Sequence, residues 1–244
     1  MYIKRYPYSG TFELTGRCNL NCSMCYVHVN QKKIAELGER ELTTEEWKRI
    51  ADEVCDAGTF QLLITGGEPL IRSDFAEIYT YIAQKGFFLT LYTNAVLLTD
   101  EIFEVLKKYP PHAIGVTIYG VTPETYEAVC GNGDAYYRMR KGLEKILTLP
   151  SRVELRTTIT RQNVYEAEKL EAFIKGFGKR VTFNINHTIF RSGRNSIARP
   201  EEVRISPSEN VSFYVNRFEN LAKEVLDDPD KLSPLREDLE KAKA

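Results

Sequence analysis

Residues 13–28 read ELTGRCNLNCSMCYVH, and three cysteines lie close together in this stretch. They are Cys18, Cys22 and Cys25, with the spacing C-x3-C-x2-C. Thiolates are soft ligands, so a cluster this tight favours a soft metal ion or an iron–sulfur centre. A closed structural metal site takes four protein ligands, whereas this stretch supplies three sulfurs. The fourth ligand must therefore come from elsewhere in the chain or from a bound molecule.

The cysteine stretch stands at the start of a regular alternation of predicted strands and helices. Short β-rich runs predict strands at 11–15, 60–65, 87–93, 113–119, 153–158 and 181–186. Apolar residues at helical spacing, with capping and stop residues, predict helices at 43–58, 73–85, 99–109, 122–130, 136–147, 164–176 and 208–226. Six βα units predict an α/β fold whose parallel strands are joined by right-handed crossovers. Since a closed barrel needs eight units, we expect a partial, open (β/α)6 TIM-like barrel.

Unusual residues lie at the carboxyl ends of these predicted strands, which meet at one rim of such a barrel. The cysteines follow the first strand, and Gly66-Gly67-Glu68-Pro69 follows the second. Two residues without a Cβ allow the backbone to approach a ligand closely and to adopt unusual dihedral angles. The carbonyl groups of this turn and the Glu68 carboxylate can accept hydrogen bonds from an ammonium group.

With these motifs the chain resembles the radical S-adenosylmethionine (SAM) superfamily over nearly its whole length. The resemblance implies that Cys18, Cys22 and Cys25 bind three irons of a [4Fe–4S] cluster, and that SAM chelates the fourth iron. It further implies that an electron from the cluster cleaves SAM to a 5′-deoxyadenosyl radical, which abstracts a hydrogen atom from the substrate.

The resemblance also implies a set of SAM-binding residues. They are Gly66, Gly67, Glu68, Thr117, Arg156 and Tyr26. The glycine-rich turn is expected to bind the methionine ammonium, and the threonine is expected to reach the ribose. The arginine is a candidate for a further polar contact to SAM, and the backbone near the tyrosine is a candidate for contact with the adenine.

Within the superfamily the chain most resembles the SPASM branch, which modifies ribosomally made peptides and proteins. The segments that carry this resemblance are RCNLNCSMCYV (17–27), TGGEPLIRSDF (65–75), YTNAVLLTDE (92–101) and IYGVTPETYEAVCG (118–131). The branch usually has a cysteine-rich C-terminal domain for auxiliary clusters, whereas this sequence has no cysteine after Cys130. We therefore expect either a fragment or a short form. A smaller departure is Ala95, where the family more often has glycine.

The expected organisation is a core domain at 1–226 and a polar tail or linker at 227–244. The expected partners are a peptide or protein substrate and an external electron donor such as flavodoxin or ferredoxin. The net charge of −1 gives no reason to expect nucleic acid as a partner. No stretch approaches the roughly 20 apolar residues that a membrane helix needs. Five cysteines, three of them clustered, are typical of a metal site in a reducing compartment, so we expect a cytoplasmic protein.

Three alternatives remain open from the sequence. The cysteines could form a structural zinc site with His28 as the fourth ligand, in the pattern C-x3-C-x2-C-x2-H. A radical SAM enzyme could instead act on a small molecule, as in cofactor biosynthesis. The chain could also hold a metal or cluster without turnover. The other two cysteines, Cys55 and Cys130, are interpreted as small buried hydrophobic residues.

Overall fold

The structure is a computed structural model that describes residues 6–27, 29, 36, 38, 40–189, 196 and 198–226. It contains two compact units, Met1–Arg204 and Ile205–Ala244. The expected boundary between a core domain at 1–226 and a tail at 227–244 stays a prediction, because residues 227–244 lie outside the described part of the chain.

Six parallel strands form one sheet in the first unit. They are β1 (Ser9–Glu13), β2 (Gln61–Thr65), β3 (Phe88–Thr93), β4 (Ala113–Thr117), β5 (Arg152–Thr158) and β6 (Val181–Asn186). Their order in the sheet is the order along the chain, and every neighbouring pair is parallel. Because β1 and β6 each pair with a single strand, the sheet is open. The predicted α/β class and open six-stranded architecture are confirmed.

Helices connect these strands. The described α-helices are α1 (Thr44–Asp56), α2 (Phe75–Ala83), α3 (Asp100–Lys108), α4 (Pro123–Cys130), α5 (Ala135–Ile146), α6 (Ala167–Lys175), α7 (Pro200–Val203) and α8 (Pro207–Leu226). The last of them belongs to the second unit. Across the described ranges, no helix combines the length and the apolar character that a membrane span requires.

Several helix ends have the local chemistry that the sequence predicts. Thr43 and Glu46 form a complete capping box at the start of α1. Thr122 caps α4, and Gly131 ends that helix with φ 67°, in the left-handed region that favours glycine. These caps determine the residues at which the helices begin and end. The end of α4 lies beside the cysteine stretch.

The two faces of the sheet differ in burial. One face carries Ile64, Leu91, Ile114 and Val153, which stand side by side in the register and are buried in the main core. Side chains alternate between the faces of a strand, and right-handed crossovers place the connecting helices on one side. The opposite face is half-exposed at most positions of β2–β5. It forms the inner wall of the open barrel.

The first strand lies two residues earlier than the predicted 11–15. After β1 ends at Glu13, the backbone leaves the regular ladder and pairs with the turn that follows β2. The fourth strand likewise ends at Thr117 rather than at residue 119. In both places the predicted strand includes apolar or β-branched residues that belong to the following loop in the structure.

Candidate cofactor site

The start of the cysteine stretch and the glycine-rich turn are joined by backbone hydrogen bonds. The amide of Gly67 donates to the carbonyl of Thr15 at 2.7 Å, and the amide of Glu68 donates to the carbonyl of Arg17 at 2.9 Å. The amide of Leu14 also donates to the carbonyl of Thr65, at 2.9 Å. The two motifs therefore form one folded unit at the carboxyl ends of β1 and β2.

This contact explains both glycines of the turn. A Cβ built on Gly67 would lie 2.3 Å from the carbonyl oxygen of Arg17, and one on Gly66 would lie 2.7 Å from that of Thr15. Gly66 also has φ 156°, which side chains rarely allow. From the sequence, the missing Cβ atoms are expected to serve the close approach of a ligand. In the structure the close neighbour is the backbone of the chain itself.

Glu68 connects the glycine-rich turn to the end of β3. Glu68 is 1% exposed, and its carboxylate accepts hydrogen bonds from the Leu70 amide at 3.1 Å, the Thr93 hydroxyl at 2.7 Å and the Asn94 amide at 2.7 Å. Burial raises the pKa of Glu68 to about 7, although these hydrogen bonds oppose the shift. A carboxylate has about four acceptor positions, so three donors leave room for one more.

A buried arginine also stabilises the junction between the cysteine stretch and the glycine-rich turn. The Arg72 guanidinium donates to the carbonyl of Leu14 at 3.0 Å and to the Asp74 carboxylate at 2.7–2.8 Å. Arg17 and Glu41 form a bidentate salt bridge, in which Nε and Nη2 of the arginine each donate to a carboxylate oxygen at 3.0 Å. Burial acts to raise the pKa of Glu41, but the hydrogen bond from Arg17 and other contacts outweigh it and lower the pKa. These charges hold the entrance to the cysteine stretch in place.

Cys18 lies next to the end of β3. Its sulfur accepts a hydrogen bond from the Leu20 amide at 3.5 Å and is 3.9 Å from Nδ2 of Asn94. The same Nδ2 donates to Oδ1 of Asn19 at 2.9 Å. Burial raises the pKa of Cys18 to about 12, and the nearby charges of Glu68 and the other two cysteines add to the shift. Asn94, which has no predicted role, thus lies beside the first cysteine.

Cys22 lies between the end of β4 and the end of α4. Its sulfur is 2.8 Å from the hydroxyl oxygen of Tyr119. The backbone on either side is held by α4, because the Asn21 amide donates to the carbonyl of Cys130 and the Ser23 amide donates to that of Val129, both at 3.0 Å. Neither Tyr119 nor Cys130 was a predicted site residue. More than 90 positions separate them from Cys22 in the sequence, so only the fold could reveal the contact.

Cys25 closes the cysteine stretch. Its amide donates to the carbonyl of Cys22 at 3.1 Å, and its own carbonyl accepts a hydrogen bond from the Ser196 hydroxyl at 2.8 Å. Tyr26 follows in a turn and is 48% exposed. His28, the fourth ligand of the zinc alternative, lies outside the described residues.

Thr117 and Arg156 are neighbours on the inner wall. They stand opposite each other in the register of β4 and β5, and both are half-exposed. The Arg156 guanidinium lies 4.1 Å from the centre of the Tyr92 ring, and its Nε is 3.5 Å from a carboxylate oxygen of Glu154. The structure thus brings these two predicted residues together, across the sheet from the junction around Glu68.

The donor set suits an iron–sulfur cluster in its chemistry. Three thiols lie on one loop, close enough that the charges of Cys22 and Cys25 affect the pKa of Cys18. In the part of the chain that the structure describes, however, no three His, Cys, Asp or Glu side chains are grouped as a metal site. Cluster binding at these residues therefore requires the thiols to turn toward a common point.

Comparison with known proteins agrees with this architecture. The family model of the Radical SAM superfamily matches residues 12–174, so the chain belongs to the radical SAM superfamily, whose members are enzymes. The match includes the cysteine stretch, the glycine-rich turn, Thr117 and Arg156. The family predicted from the motifs is confirmed.

Relatives within the superfamily act on different substrates. The chain is 35% identical to an AdoMet-dependent heme synthase of Methanosarcina barkeri, over 68% of this chain and 47% of that protein. It is 32% identical to a PqqA peptide cyclase of Bradyrhizobium diazoefficiens, over 66% of this chain and 41% of the cyclase. The chain thus spans less than half the length of these curated relatives.

A solved structure shows the same fold. Streptococcus suis SuiB bound to the precursor peptide SuiA matches with a TM-score of 0.68, over 90% of this chain and 47% of that chain. At 17% identity the likeness concerns the fold alone.

Proposed function

We propose that this chain is the core of a radical SAM enzyme that modifies a peptide or protein substrate. In this proposal Cys18, Cys22 and Cys25 hold a [4Fe–4S] cluster. The SAM site consists of Gly66, Gly67, Glu68, Thr117, Arg156 and the backbone near Tyr26. The observation that carries the proposal is the junction at β1 and β2, where the cysteine stretch and the glycine-rich turn are bonded to each other.

The cofactor pair supplies the radical chemistry: reductive cleavage of SAM gives a 5′-deoxyadenosyl radical that takes a hydrogen atom from the substrate. The protein supplies ligands, orientation and a dry environment. Burial disfavours the thiolate form of Cys18, so binding at this residue releases a proton and depends on the positive charge of iron.

Glu68 is suited to bind the ammonium group of SAM. Its carboxylate has one acceptor position left after three hydrogen bonds. A bound cation stabilises the ionised carboxylate, whose pKa burial has raised to about 7. The same side chain is held by hydrogen bonds at the ends of β2 and β3. A side chain held in this way would orient the methionine part of SAM without itself changing position.

A peptide substrate is supported by one relative, a PqqA peptide cyclase. A small-molecule substrate is the second candidate, because a heme synthase is also similar to this chain. The exposed and half-exposed inner wall of β4–β6 is the place we propose for either substrate.

The cluster needs an external electron donor, and we propose a flavodoxin or ferredoxin for this role. All five cysteines are free thiols, which suits a reducing compartment such as the cytoplasm.

The first test is anaerobic reconstitution with iron and sulfide. We expect about four irons per chain, a broad brown absorbance and an electron paramagnetic resonance (EPR) signal after reduction. Cys18→Ala, Cys22→Ala and Cys25→Ala should each lose most of the iron, whereas the matched Cys55→Ala should keep it. Colourless protein that holds one zinc would contradict the proposal.

The second test is turnover. With SAM and a strong reductant, the reconstituted chain should release 5′-deoxyadenosine, and a cluster without this product would support a binding module instead. Candidate precursor peptides and iron porphyrins can then be compared by the rate of 5′-deoxyadenosine release. Stimulation by porphyrins alone would favour the small-molecule alternative.

A further inference from the structure

The outer edge of β6 presents main-chain hydrogen-bonding groups. β6 pairs with β5 through a continuous parallel register over its whole length. The amide of Ile159 donates to the carbonyl of Asn186 at 2.8 Å, so the main chain of Asn186 faces β5. Within a strand, successive residues direct their N–H and C=O groups to opposite sides. The main-chain groups of Phe183 and Ile185 therefore face away from β5.

These outward groups are available for pairing. The N–H and C=O groups of Phe183 and Ile185 make no outward hydrogen bond to any residue that the structure describes. The N–H of Val181 faces the same side, but it already donates to the carbonyl of Gly178. Two donors and two acceptors thus stand in a row on this edge. Such a row is a template on which another extended chain can pair.

β6 lacks the features that usually protect an edge strand. Its sequence, VTFNIN, contains no charged residue, proline or glycine, and its register with β5 has no bulge. Most of its residues are strong strand formers. The other edge strand of the sheet is different, because β1 carries the exposed charge of Glu13 and begins two residues after Pro7. The sheet therefore has one protected edge and one edge that is open to pairing.

The free edge lies beside the predicted SAM site. Asn184 of β6 stands next to Arg156 of β5 in the register, and Arg156 stands next to Thr117 of β4. These side chains lie on the inner wall, and the one on β6 is exposed. A strand added to β6 would continue this wall, and every second side chain of the added strand would face the same side as Arg156.

We propose that an extended segment of the peptide substrate pairs with the outer edge of β6 as a seventh strand. The recognition chemistry is that of a peptide main chain, which supplies N–H and C=O groups alternately, at about 3.3 Å per residue. An iron porphyrin has no such row. In this binding mode main-chain hydrogen bonds give affinity, and the side chains that face the wall give specificity. The inference rests on the proposed function, because it specifies how the substrate of that enzyme binds.

The test uses a phage-displayed library of random decapeptides, selected on the reconstituted full chain in the presence of SAM. A recovered peptide is then synthesised with a single N-methyl group at each amide in turn. Methylation at every second amide of the paired segment should weaken binding about tenfold, because only alternate amides face β6. Methylation at the intervening amides should change the affinity little. This alternation is specific to strand pairing.

A matched pair of variants tests the protein side of the contact. Ile185→Pro removes one outward N–H, and an edge strand tolerates proline where the N–H faces away from its neighbour. Peptide binding should weaken about tenfold in this variant. Ile185→Val keeps the N–H and a β-branched side chain, so its affinity should match the wild type. If Ile185→Pro fails to fold, the N-methyl series on the wild-type chain decides alone.

Three results would overturn the β6 site. The first is that no peptide is recovered, or that the N-methyl series shows no alternation. The second is a dimer in analytical ultracentrifugation that Ile185→Pro dissociates, because the edge would then bind a second copy of this chain. The third is slow hydrogen exchange at the amides of Phe183 and Ile185 in a peptide-free monomer, because the chain would then cover its own edge. Iron content and 5′-deoxyadenosine release without peptide test the proposed function separately, so the two failures are distinguishable.

Discussion

The two halves of the barrel rim are built differently, although a glycine makes a close contact in each. In the β1–β3 half, a Cβ on Gly67 would lie 2.3 Å from the backbone oxygen of Arg17. On β4, the first strand of the β4–β6 half, a Cβ on Gly115 would lie 2.5 Å from the ring of Tyr92 on the adjacent strand β3. The distances are similar, but a backbone carbonyl in a hydrogen-bonded turn cannot move aside, whereas a half-exposed ring can.

This difference separates a fixed part of the site from an adaptable one. The β1–β3 half holds the backbone of the cysteine stretch and the Glu68 side chain through backbone contacts and buried charges, so its backbone is set before any ligand binds. The β4–β6 half presents half-exposed or exposed polar side chains, among them Thr117, Arg156 and Asn184. A constant cofactor needs the first kind of surface, and a substrate that differs between relatives needs the second. Three substitutions test this comparison.

The largest effect is expected from Gly67→Ala. The added methyl group collides with the Arg17 carbonyl and breaks the backbone contact between the glycine-rich turn and the cysteine stretch. We expect a loss of unfolding free energy on the order of 4 kcal/mol, measured by urea denaturation, and a loss of iron uptake.

The matched control is Gly16→Ala, in the same junction. Among the described residues, and apart from the glycine and its two chain neighbours, no heavy atom lies within 4 Å of a Cβ built at this position. Its unfolding free energy should stay within about 0.5 kcal/mol of the wild type. Equal losses in both variants would mean that the close packing at Gly67 is not what holds the junction together.

The next effect concerns the buried charge of Glu68. Its pKa is about 7 in the folded chain, against an ordinary value of 4.5. Between these values the folded state holds a proton that the unfolded state has lost, so the unfolding free energy falls as the pH rises. The stabilisation is complete below pH 4.5 and is lost as the pH passes about 7. At 1.36 kcal/mol per pKa unit, this group accounts for about 3 kcal/mol.

The measurement is urea denaturation of the metal-free protein and of Glu68→Gln across this pH range. Residue 68 cannot ionise in the variant, so the unfolding free energy of the variant should not decrease with rising pH through this group. The new amide can change the stability of the variant, but by the same amount at every pH. The two curves should therefore converge or cross as the pH rises. Curves that run parallel from pH 4.5 to about 8 would contradict a buried, ionisable Glu68.

The sequence was sufficient for the order of the elements and for the motifs at the rim. Local signals sufficed because caps such as Thr43 and Thr122 act within one turn of a helix. Even Ala95, noted as a departure from glycine, was informative. It has φ 59°, a left-handed conformation that explains why glycine is the more usual residue there.

The contacts between distant parts of the rim could not be predicted. The pairing of Tyr119 with Cys22 depends on where β4 ends and on how α4 returns to the cysteine stretch. Cys130 is buried, as predicted for a small hydrophobic residue, but its contact with Cys22 was not predicted. The sequence also does not show why the glycine-rich turn needs two glycines, because either a ligand or the chain itself could occupy the space that a Cβ would take.

The smallest effect is expected from Gly115→Ala in the adaptable half. The methyl group meets two atoms of the Tyr92 ring and the Cδ of Arg156, all in side chains on the half-exposed inner wall. Their displacement should cost about 1 kcal/mol of unfolding free energy, partly offset because alanine suits a strand better than glycine. Iron uptake should match the wild type, because the junction at β1 and β2 is untouched.

The informative readout for this variant is ligand binding. Moving Arg156 away from Tyr92 should weaken SAM binding several-fold in calorimetry if Arg156 contacts SAM as predicted. Gly10→Ala is the matched strand control, because the described atoms nearest to its Cβ would belong to the Leu62 and Thr59 side chains, at 3.4 Å or more. A stability loss as large as that of Gly67→Ala would show that the β4–β6 half is as rigid as the other. Unchanged SAM affinity would remove Arg156 from the SAM site and leave it available to the substrate.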